Sequence, residues 1–159
     1  MNSAAPSFTC IFREDLTPNL CLQICKCGDK FFYNIRYLAE NAEGALRFTK
    51  EGVTFPVDHT SAVVDLITSF YDTEADLSLG YLACNVGNVT YGCHRLTNNL
   101  SSIMLCVAKN AFFGTSVIFN EPAFRALNKT FRLVLTGSIK VSYTISMLYI
   151  NNVYMVFLY

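Results

Sequence analysis

An α+β fold of two sheet-plus-helix repeats is predicted for this chain by three observations. From Lys30 to Arg36 the side chains alternate, with Phe31, Tyr33 and Ile35 on one face and Lys30, Phe32, Asn34 and Arg36 on the other. Further on, Val63, Leu66, Ile67 and Phe70 recur at helical spacing. That helical pattern then returns 61 positions later, at Phe124, Leu127 and Phe131. Each repeat is expected to be a four-stranded antiparallel curved sheet with one helix, the two forming an intramolecular pseudo-dimer with extra C-terminal β-strands. The boundaries read as 1–75, 76–132 and 133–159.

The elements follow in order. Phe8, Cys10 and Phe12 alternate as an entering strand or arm, and Arg13-Glu14-Asp15 with Pro18-Asn19 read as a charged turn. Leu20, Leu22 and Ile24 make the next strand, and Lys26-Cys27-Gly28-Asp29-Lys30 a hairpin with Gly-Asp at its tip. After the Lys30 strand, Glu40, Asn41, Glu43 and Gly44 mark a reversal. Two short strands are then expected, one with Leu46 and Phe48 on one side and Arg47 on the other, the second with Val53, Phe55 and Val57. Gly52 bends the chain between them. Asp58 or Thr60 is placed to cap the helix.

Tyr71 to Ser78 reads as an acidic linker. The second repeat offers Gly80 to His94 as strand, Gly-Asn hairpin and strand, Ile103 to Val107 as a third strand, and Lys109 to Phe119 as a parallel to Lys50–Val57. Asn120 caps its helix and Pro122 sits in the first turn. The sheet offset reads as 58 or 59. At 58, His94 falls opposite Arg36; at 59, Arg95 does, and the one-residue slip exchanges faces.

Ile35-Arg36-Tyr37, then Gly44, Leu46 and Lys50-Glu51-Gly52-Val53-Thr54-Phe55 ahead of an amphipathic helix resemble the transcriptional positive cofactor four family over roughly 45 residues. The resemblance implies a single-stranded DNA-binding domain that dimerises through its helices and presents its sheets as one platform, here as two tandem repeats. Three departures accompany it: Glu51 replaces a Lys, Phe48 replaces a Pro, and the aromatic expected after the Arg strand falls near Leu38 or Ala39. The fused arrangement also resembles the purine-rich element binding (Pur) family, as second choice.

Composition narrows the function classes. The 159 residues carry zero formal net charge, but residues 1–75 hold six Lys/Arg against ten Asp/Glu and residues 76–159 six against two. Polyanion binding would therefore need cations gathered on one face, and would be weak and salt-sensitive. Met1 to Ser7 lack a basic segment leading into an apolar run, so no secretory signal is read and a nuclear or cytoplasmic location is expected. The seven Cys are then expected as reduced thiols, and the sequons at Asn88, Asn99 and Asn128 as unused. Cys21, Cys25 and Cys27 share strand parity without the turn a zinc site needs, so no metal and no cofactor is expected. From Arg132 to Tyr159 the chain reads as β-rich, with turns at Thr136-Gly137 and Asn151-Asn152. Lys140 and the Asn pair interrupt any membrane span of about 20 residues. Segments this apolar should be paired or covered, so the tail is expected over the sheet or in a homo-oligomer interface.

His59 and His94 lack nucleophile or metal-binding motifs around them, and Glu40 and Glu43 sit in a turn, so no enzyme activity is expected. Lys30, Phe32, Arg36, Arg47 and Lys50 combine cations for phosphates with a ring for bases. The resemblance implies nucleic-acid contacts for Lys30, Arg36, Arg47 and Lys50. His94, Arg95 and Lys109 are the second repeat's candidates. A non-enzymatic single-stranded DNA, or RNA, binding protein in transcription or replication, a coactivator with partner proteins of those processes, is the function read. The alternative is a structural or protein-interaction module that keeps the fold.

Overall fold

A computed structural model of the chain describes residues 7–73, 81–96, 99–110, 112–141, 148–150 and 153–155. Its first sheet is an antiparallel meander of β1 (Phe8–Thr17), β2 (Leu20–Cys27), β3 (Lys30–Glu40) and β4 (Leu46–Pro56), followed by α1 (Thr60–Thr73). The second repeats the plan with β5 (Tyr81–Val86), β6 (Val89–Leu96), β7 (Asn99–Lys109), β8 (Phe112–Asn120) and α2 (Glu121–Leu135). The α+β class and the two repeats are as predicted. Asn120 caps α2 by accepting from the Ala123 N–H at 2.9 Å, with Pro122 in the first turn. For α1, one 3-10 turn, Val57–His59, leads in instead, and Thr60 turns inward, donating to the Val57 carbonyl and bonding the Tyr33 hydroxyl at 2.7 Å.

Both sheets and both helices enclose one core. Phe31, Tyr33 and Ile35 are buried, as are Val89, Tyr91 and Cys93, which settles the offset at 58. α1 lies against β5 and β6 of the other sheet, and α2 against β1 as well as β7 and β8. Phe55 is the hub: its ring meets Tyr33 at 5.1 Å, Tyr91 at 5.3 Å and Phe131 at 6.0 Å. Edge-to-face rings contribute beyond their buried area, by about 0.5–1.5 kcal/mol per pair. The edge strands β4 and β8 lie side by side, and the Tyr37 hydroxyl accepts from the Ile118 N–H at 2.8 Å and reaches the Ile118 carbonyl at 3.4 Å.

Several expectations are corrected. Arg13-Glu14-Asp15 is no turn but the middle of β1, where shifts on either side keep it paired with β2. The two short strands after Gly44 are one strand, β4, in which Thr49–Glu51 bulge between Phe48 and Gly52. Gly52 permits this because a Cβ there would meet the Ile35 carbonyl oxygen at 2.1 Å. Tyr71 to Thr73 belong to α1, while 74–80 lie outside the described residues. Lys109 ends β7 rather than starting the last strand.

The helix α2 runs to Leu135, so Arg132–Leu135 is helical where β structure was expected; its apolar residues Leu133 and Val134 are explained by packing, Val134 being buried. Beyond it, Val141 returns to the core, and β9 (Leu148–Ile150) and β10 (Val153–Met155) form a two-stranded sheet not bonded to the other two. The Asn151-Asn152 turn lies outside the described residues. Among the described residues no helix is long and apolar enough to cross a membrane, and no group of His, Cys, Asp and Glu is placed to hold a metal.

Candidate nucleic-acid interface

Strand parity divides each sheet into a helix face and an outer face. In the first sheet the outer face carries Lys30, Phe32, Asn34 and Arg36 from β3, opposite Cys27, Cys25, Gln23 and Cys21 of β2. Arg13 and Asp15 of β1 and Thr54 of β4 complete it. A polar chain crosses the middle: Asn34 donates to Gln23 at 3.3 Å, Arg36 Nε donates to Asn34 at 2.7 Å, and Thr54 donates to Asn34 at 3.1 Å. Arg36 donates further to the Thr54 hydroxyl at 3.0 Å and to the Lys50 carbonyl at 2.7 Å. The β4 bulge turns that carbonyl toward Arg36. Three of the five guanidinium N–H groups are thereby used to fix its plane, and the fork is held in place before any ligand arrives.

The cations of the two repeats meet at the junction of the sheets. A cleft of about 260 Å³ is lined by Arg36, Lys50, Gly52 and Thr54 from the first sheet and by Val107, Lys109 and Thr115 from the second. Three cations far apart in sequence thus share one depression. On the outer face of the first sheet, Phe48 is 45% exposed and takes the Arg13 guanidinium over its ring at 5.3 Å. Arg13 also pairs with Asp15 at 3.2 Å, an exposed pair of little energetic weight.

The remaining predicted residues separate. Lys30 and Phe32 share the outer face with Arg36. Arg47 does not, since alternation turns it away from the Phe48 side. His94 occupies the outer face of the second sheet, with its ring 5.9 Å from Tyr81 and its Nδ1 buried. Arg95 is corrected: it lies on the helix face, ion-paired with Glu121 at 3.1 Å and 5.9 Å from the Phe70 ring. Offset 58 sends it there.

The second outer face is nearly neutral. Ala83, Gly92, His94, Met104, Cys106 and Ser116 occupy it, with Tyr81 53% and Ile118 45% exposed. The thiols on the first face are subdued: burial pushes Cys21 and Cys25 up to about 11. His59, the other histidine, is bonded through Nδ1 to the Tyr91 hydroxyl at 2.6 Å, and burial lowers its pKa against the opposing pull of Asp58.

Sequence reading missed Arg13 and Phe48. Arg13 was hidden by its turn-like neighbours; Phe48 does share a side with Leu46 as the alternation predicts, but the bulge after it hides that this side is the outer one. The signal for Thr54 was present, since it alternates with Val53 and Phe55.

No family model and no curated protein matches the chain. Among the solved structures similar to it are a guide-RNA-binding protein complex bound to a guide RNA, with TM-score 0.43 and 10% identity over 84% of this chain and 92% of that one, and MRP1/MRP2 of Trypanosoma brucei, with TM-score 0.40 and 10% identity over 84% and 88%.

Proposed function

We propose that this protein binds single-stranded nucleic acid, DNA or RNA, without catalysing a reaction on it. The observation that carries the reading is the convergence of Arg36, Lys50 and Lys109 on one cleft, beside a face bearing Phe32 and Phe48. Phosphates occupy the cleft and bases stack on the rings, each stacked base contributing about 1–3 kcal/mol. The Arg36 fork favours a bidentate phosphate contact. Few cations take part, so binding is modest and falls with salt. His59 is committed to Tyr91 and His94 buries one ring nitrogen, which supports a binding rather than a catalytic role. The sequence resemblance given above supports a place in transcription or replication, with partner proteins of those processes, in the nucleus or cytoplasm. The apolar segment after residue 141 is the part proposed to join copies of the chain.

The test is fluorescence anisotropy of labelled single strands of about 20 nucleotides, as DNA and as RNA, at rising salt. Binding that weakens with salt and is lost in Arg36→Ala with Lys50→Ala is expected. Absence of binding at low salt removes the reading and leaves an interaction module.

A further inference from the structure

The second repeat holds five Lys/Arg, and its sheet uses few of them. Three lie on α2 at Arg125, Lys129 and Arg132, spaced four and three apart and so on one stripe. That stripe rims a groove of about 370 Å³ between the helices, with Tyr71, Asn128, Leu133 and Thr136 as its other walls. Two of the three cations are braced. Arg125 lies over the Tyr71 ring at 5.0 Å and pairs with Glu121 at 3.2 Å, while Arg132 donates to the Thr68 hydroxyl of α1 at 2.9 Å. The side-chain oxygen of Asn128 is buried without a partner in the protein.

We infer that this interhelical groove is a second phosphate-backbone site, which holds the continuation of a nucleic-acid strand too long for the inter-sheet cleft. The inference rests on the reading of the cleft for the class of ligand. Charge complementarity carries it. Arg125 to Arg132 spans about 10.5 Å of helix axis, so the stripe sets a cation about every 5 Å along one line. Such a row can meet successive phosphates of one strand, with Glu121 offsetting part of the charge at Arg125. An acceptor buried at Asn128 asks for a donor, which a ribose hydroxyl or an exocyclic base amine supplies and a bare phosphate does not. Tyr71 offers a ring beside it. An acidic peptide is the competing occupant, and the test separates it.

The full chain and its Lys129→Ala, Arg132→Ala double variant are titrated against labelled single strands of about 8 and about 30 nucleotides; the shorter length fits a single sheet platform. The variant is expected to bind the long strand about 10- to 25-fold more weakly near 0.1 M salt, with the salt slope reduced by about 1.4 for two lost contacts, and the short strand unchanged. Unfolding midpoints within error of wild type verify that the exposed positions leave the fold intact. No loss on either length, or equal loss on both, overturns the inference while leaving the cleft reading standing. Wild type that binds neither strand overturns both. Oligoglutamate binding that the variant abolishes, with long-strand affinity retained, assigns the groove to an acidic partner and also overturns it.

Discussion

Tyr33 of the first sheet and Phe131 of the second repeat's helix meet edge to face with ring centroids 4.7 Å apart. The two repeats thus have no separate cores. Phe131→Ala should cost about 3–5 kcal/mol, and denaturant unfolding followed by tyrosine fluorescence and by far-ultraviolet circular dichroism should show one coincident transition for wild type. Two resolved transitions would mean that the repeats fold independently.

Gly52 and Gly28 should respond differently to alanine. At Gly52 the new Cβ meets the Ile35 carbonyl, whereas at Gly28 the space is open and only the positive φ of 61° resists. Gly28→Ala should cost about 1–2 kcal/mol, and Gly52→Ala more than that. Equal midpoint shifts in urea would contradict the close approach.

Arg95 and Lys109 separate stability from binding. Arg95→Gln breaks a half-buried ion pair, so it should lower stability by about 1 kcal/mol and leave nucleic-acid affinity unchanged. Lys109→Ala should do the reverse, weakening single-strand binding several-fold with one phosphate's share of the salt slope. Anisotropy and thermal melts on the two variants read this directly, and a binding defect in Arg95→Gln would put the interface on the wrong face.

His59 makes stability depend on pH. Its folded pKa lies below the ordinary value of 6.5 because burial disfavours the cation. The unfolded chain therefore binds more protons there, so this contribution is complete above about pH 6.5 and is lost as pH falls through the folded value. Urea midpoints should drop from pH 7 to pH 5, and His59→Gln should flatten that slope. An unchanged slope in the variant would assign the dependence to other groups.

Thiol labelling should follow burial. Cys10 is exposed, while burial pushes Cys93 up to about 12 and Cys21 up to about 11. Native protein should modify Cys10 with maleimide well before Cys21 or Cys93, as read by peptide mass mapping. Early labelling at Cys93 would mean that the second sheet opens readily.

The sequence and the fold agree where one periodicity governs. The trio Phe31, Tyr33 and Ile35 alternates without interruption, so its face was legible, and Val63 to Phe70 likewise. Bulges were not legible, because an extra residue breaks the parity from which faces are read. The outer-face place of Phe48, just before the β4 bulge, was lost that way, while Arg13 was lost to a charged stretch that reads as a turn. For Arg95 the difficulty was a choice between two offsets, which only the burial of Tyr91 and Cys93 decides. The helical end of α2 was misread since Leu133, Val134 and Leu135 also suit a strand. The α2 stripe is legible as an i, i+4, i+7 pattern of cations at Arg125, Lys129 and Arg132.

The Tyr37 hydroxyl engages both backbone groups of Ile118 on the outer side of β8. An unprotected strand of that kind is a template on which another molecule can extend the ladder into a fibre. One phenol occupies the donor and the acceptor that a recruited strand would use first. Cross-repeat contact at this point thereby guards solubility as well as geometry, and does so without a charged gatekeeper.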